Sequence, residues 1–129
     1  MTKSSKTLLL QWIEKADHDI LACETIIEHQ PIILDVACFH CQQAVEKYLK
    51  LFLLYNKQEI IKTHNLDILL KNCSDIDIDF KSVDVKNMEN FAVRVRYPHD
   101  SIIPSMKETK EYYQITLNIK KLVLKKIKL

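Results

Sequence analysis

Apolar residues recur at three- and four-residue intervals along most of this chain, which is the helical period. From about Ser5 to His29 the stripe is Leu9, Trp12, Ile13, Ala16, Ile20, Cys23 and Ile27, and Pro31 closes the run. A second run, about Ile33 to Asn56, repeats Leu34, Ala37, Cys38, Cys41, Ala44, Val45, Tyr48, Phe52 and Tyr55 in the same rhythm. The connector NKQEIIKTHN leads to a short helix expected over Leu66 to Cys73, with Thr63 or Asn65 as its cap. SDIDIDF alternates like a strand, but nothing else in the chain offers a strand to pair with it, so it reads as an extended loop. A fourth segment, again long, is expected over about Ser82 to Tyr97, ended by Pro98. A fifth starts near Pro104, a residue suited to the first helical turn, and runs to about Lys126. Short loops between long amphipathic helices imply one all-α domain over residues 1–129. Its expected form is an antiparallel up-and-down bundle of four long helices plus one short helix.

Composition sharpens that picture chiefly through one omission: the chain contains no glycine. Tight hairpins of the Asn-Gly or Asp-Gly kind are excluded, which favours helix further. Phosphate-cradling loops, dinucleotide fingerprints and the nucleophile elbow are excluded too, because each needs glycine where the backbone must turn sharply or approach a ligand. Any phosphate must be held by helix N-termini or by Arg and Lys side chains.

The net charge of +2 is too mild to imply a nucleic-acid partner by itself. The closing stretch KKLVLKKIKL reads either as a solvated helix face ending in lysines or as a tail attracted to RNA or membrane. The apolar run near the N-terminus is only three leucines long, which points to a cytoplasmic protein with no membrane span and with its four cysteines reduced.

Few residues suggest chemistry. Cys38 and Cys41 sit one turn apart in mid-helix, away from the helix N-terminus that would activate a thiolate. With Cys23 and Cys73 isolated in sequence, neither a metal site nor a redox pair is expected, and the thiols read as small buried groups. Phe39, Gln43, Glu46 and Lys50 align on the second helix, flanked by His40, Gln42 and Lys47. This is either a solvated face, with a Glu46–Lys50 pair worth a few tenths of a kcal/mol, or a contact surface. His64 reads as a capping or packing residue, and His18 and His29 as surface. Asp17 and Asp19 are too close in sequence to His18 to share its helix face.

RVRYPHD, residues 94–100, is the densest group. Pro98 is expected to swing His99 off the helical path and back toward Arg94 and Arg96. Guanidinium charge near an imidazole disfavours its protonated form, leaving a neutral base. Such a base could take a proton from a ribose 2′-OH while arginine binds the charge growing on phosphorus, with no metal or other cofactor. The plainer alternative is a charged helix end with Asp100 balancing an arginine.

WIEKADHDILAC, ACFHCQQAVEKYLKLFLLY, THNLDILL and RYP follow one another in the order and spacing of the HEPN family. The resemblance runs from about Trp12 to about Tyr113, and FHCQQAVEKYLK is its most specific block. It implies a helical bundle that forms a homodimer, encoded beside a minimal nucleotidyltransferase and acting as the toxin of that pair. It places the family ribonuclease motif, an arginine followed after four to six residues by histidine, on Arg94 and His99. By the same resemblance Arg96 would hold phosphate, Tyr97 would stack on a base or its dimer mate, and Gln43, Glu46, Lys47 and Lys50 would border the RNA groove. The RYP branch also implies an alternative: a non-catalytic module that binds a nucleotide and docks a nucleotidyltransferase.

Overall fold

The computed structural model describes residues 2–91 and 103–129. They form α1 (Lys3–His29), α2 (Leu34–Tyr55), α3 (Leu66–Ile76) and α4 (Met106–Lys126), with 3-10 turns at Ile78–Phe80 and Met88–Asn90. Among the described residues there is no strand, and the all-α reading holds. Helix ends fall within two or three residues of those read from the hydrophobic period. The Thr2 side chain accepts from Ser5 N to start α1, and Asn65 rather than Thr63 caps α3, accepting from Asp67 N and Ile68 N. Ser105 and Glu108 form a reciprocal capping box that begins α4 two residues beyond Pro104.

Helix α2 is the centre of the molecule. Tyr48, Leu49, Leu51 and Val45 are fully buried, and the helix packs against α1, α3 and α4. Small buried residues, Ala16 and Cys23 of α1 and Ala37, Cys41 and Ala44 of α2, belong to the core, and Cys23 meets Cys41 where the two helices pack. Directions follow from paired contacts. Cys23 meets Cys41 while Asp17 meets Tyr48, so α1 and α2 are antiparallel. Cys38 meets Thr109, and Cys41 meets Thr116, so α2 and α4 run parallel.

Two segments differ from expectation. The alternating SDIDIDF is not an extended loop: its first residues complete α3, and Asp77 then accepts from Asp79 N to set the 3-10 turn. Phe80 at the end of that turn is buried against Phe52, with ring centroids 4.5 Å apart. Of the alternating apolar residues only Phe80 is an anchor, since Ile76 and Ile78 are exposed. Helix was expected from Ser82 onward, but residues 82–90 are turns and a 3-10 segment. Asp84 accepts from Lys86 N, and Lys86 and Asn87 take φ of 47° and 61°, so local side-chain bonding overrides the helical period. The rest of that expected helix, including the kink at Pro98, lies outside the described residues.

The basic C-terminus is partly used internally. Lys120 pairs with Asp17 at 3.0 Å, and Lys126 with Asp77 at 3.0 Å and with Asp79. Among the described residues no helix is long and apolar enough to cross a membrane.

Candidate functional site on the second helix

The polar residues aligned on α2 are not a solvated face. Gln42, Glu46 and Lys50 are buried, at 0%, 6% and 8% exposure, while Phe39, Gln43 and Lys47 are half-buried. Packing on three sides leaves this helix little open surface, so polar side chains here must satisfy one another.

Glu46 is the hub. Its Oε1 accepts from Gln42 Nε2 at 3.2 Å and lies 2.8 Å from His64 Nδ1. Its Oε2 accepts from Lys50 Nζ at 3.1 Å. Gln42 in turn accepts from Gln43 Nε2 at 2.6 Å, extending the chain of bonds toward the surface. The Glu46–Lys50 pair is therefore more than a surface i,i+4 contact: both ends sit in low dielectric, where loss of either strands the other.

Asp19 of α1 is a second hub built the same way. His40 Nδ1 lies 2.9 Å from its Oδ1, and Lys47 Nζ bonds its Oδ2. Burial alone would raise the Asp19 pKa, but hydrogen bonds and charge from His40 and Lys47 outweigh it and hold the carboxyl below its ordinary range. Each of the two carboxylates thus takes a lysine on one oxygen and an imidazole Nδ1 on the other. Opposite a carboxylate oxygen, Nδ1 of His40 and of His64 is the ring nitrogen that donates. His64 is the exposed member, with a side chain 75% accessible beside a carboxylate only 8% accessible. A third carboxylate, Asp17, accepts from the Tyr48 hydroxyl, and burial together with that carboxylate pushes the phenol pKa up.

All four cysteines are buried, and burial pushes Cys38 and Cys73 up to about 12. Cys23, isolated in sequence, lies against Cys41 with sulfurs 3.3 Å apart. Among the described residues no group of His, Cys, Asp and Glu could hold a metal ion.

Gln43, Glu46, Lys47 and Lys50 are therefore gathered on one helix with their hydrogen-bonding groups engaged. Arg94, Arg96, Tyr97 and His99 lie outside the described residues. Sequence reading missed Asp19 as an organiser, and it assigned His64 a local role when its partner is 18 positions away. One signal was available for Asp19: folding α1 back on α2 about the short turn at Pro31 sets residue 19 opposite the stretch from His40 to Lys47. The model of the HEPN domain matches residues 9–129 of the chain. No curated protein and no solved structure matches it.

Proposed function

The chain belongs to the HEPN domain family, and from that premise we propose that it is a metal-independent endoribonuclease. It would act as a homodimer and as the toxin partner of a minimal nucleotidyltransferase. The observation that carries this reading is the extent of the family match, which runs through Arg94 and His99 to the last residue. His99 takes the proton from a ribose 2′-OH, the 2′-oxygen attacks phosphorus, and the bond to the 5′-oxygen breaks as that oxygen takes a proton from the imidazolium of the second motif in the dimer, leaving a 2′,3′-cyclic phosphate and a 5′-hydroxyl. Arg94 binds the charge developing on the phosphoryl oxygens, Arg96 holds a neighbouring phosphate, and Tyr97 stacks on a base. Lys47 and Lys50 each already hold a carboxylate, so the half-buried Gln43 and Lys47 would border the groove over the buried Glu46–Lys50 pair while the arginines grip phosphate.

Incubation of the purified protein with single-stranded RNA in EDTA tests this directly. Cleavage with cyclic-phosphate ends is expected, and His99→Ala should lower the rate by about a hundredfold or more. Saturable binding of ATP or a related nucleotide without turnover would instead assign the protein to the non-catalytic docking class. Full activity in His99→Ala would remove the mechanism.

A further inference from the structure

Two clefts adjoin along the N-terminal half of α1. One, of about 530 Å³, lies between α1 and α2 and is lined by Leu8, Gln11, Trp12, Glu14, Lys15 and Lys47. The other, of about 600 Å³, lies at the end of the bundle, where Leu8 and Leu9 meet Leu54 and Tyr55 below Lys57 and Lys128. Leu8 belongs to both and is 45% exposed. The helix stretch they span together, residues 5–15, is roughly 15 Å long, about three turns.

We propose that this trough is a docking surface for an acidic amphipathic helix of a partner protein. Its floor is aliphatic and aromatic, and its length suits a helix that lays one apolar stripe along it. Among the described residues its lining carries four lysines, Lys15, Lys47, Lys57 and Lys128, against one acid, Glu14. Lys47 is held by Asp19, which leaves the other three to meet carboxylates of an incoming chain. A second copy of this chain docking through the same trough would set lysine against lysine across a two-fold axis, which disfavours it. Single-stranded RNA would use Trp12 and Tyr55 as stacking platforms, but both rings pack against the core. The surface is independent of whether Arg94 and His99 cleave RNA.

Trp12, the chain's single tryptophan, reports from inside the trough. The full chain is titrated with a synthetic helical peptide of about four turns, with leucine at i, i+3, i+4 and i+7 and glutamate elsewhere, while Trp12 emission is followed. A saturable shift that weakens with salt is expected. Leu8→Glu, on an exposed position, should weaken it at least about tenfold with unchanged circular dichroism and melting, and a peptide carrying lysine in place of glutamate should bind at least about tenfold more weakly. An unresponsive Trp12, or equal affinity for the two peptides, overturns the proposal. So does an oligonucleotide that saturates the same signal, or a self-association that Leu8→Glu dissolves.

Discussion

Glu46 shows how one residue's meaning depends on what covers it. On a helix wheel it is half of a solvated pair with Lys50; in the fold it is a buried acceptor for Lys50, Gln42 and His64. Glu46→Leu removes the acceptor and strands both the Lys50 ammonium and the fully buried Gln42 amide. A loss of about 3 kcal/mol of unfolding free energy is expected, read as a lower urea midpoint with an unchanged slope. Glu46→Leu combined with Lys50→Met relieves the stranded charge, so the double variant should be more stable than the single by about 1 kcal/mol or more. If the two losses simply add, the buried pairing is not what holds Glu46. The site's membership on α2 was legible from spacing. Its burial was not, because Gln, Glu and Lys look alike on the wheel whether they face water or each other.

At the scale of elements, the hydrophobic period located every helix whose full length is described, and cap chemistry refined the ends. The reading failed where short-range polar bonding competes with the period, at the Asp77 turn and over residues 82–90. Removing one half of the Ser105–Glu108 box tests how far a cap sets α4. Ser105→Ala should cost about 1 kcal/mol in chemical unfolding, and adding Glu108→Ala should cost less than the sum of the two, since the bonds are reciprocal. The absence of glycine leaves a mark at the other end of α2. Lys57 takes φ of 62° just past the C-cap, where Gln58 N donates to Leu53 O and Lys57 N to Leu54 O. Glycine tolerates that geometry without the Cβ clash, at the cost of a freer unfolded chain. Lys57→Gly should therefore raise the unfolding free energy by roughly 0.5 kcal/mol, whereas Lys57→Val, β-branched, should lower it.

In the whole molecule, α1 and α2 are joined by more than their apolar seam, because Asp19 ties one to the other through His40 and Lys47. That tie makes stability depend on pH in a particular window. The Asp19 carboxyl is held below its ordinary value in the folded chain, so the folded state favours the ionised form more than the unfolded state does. Its contribution is complete above the unfolded-state value of about 3.9 and disappears as pH falls through the lower native value. Asp19→Asn keeps the shape but loses the charge, and about 2 kcal/mol should go with the charged hydrogen bonds. Urea unfolding at a series of pH values should show the two proteins separated by a constant gap from neutrality to about pH 4, then converging as acid protonates the wild-type carboxylate. A gap that narrows already between pH 7 and 5 would mean that an imidazole, not the Asp19 carboxyl, controls the link between the two helices.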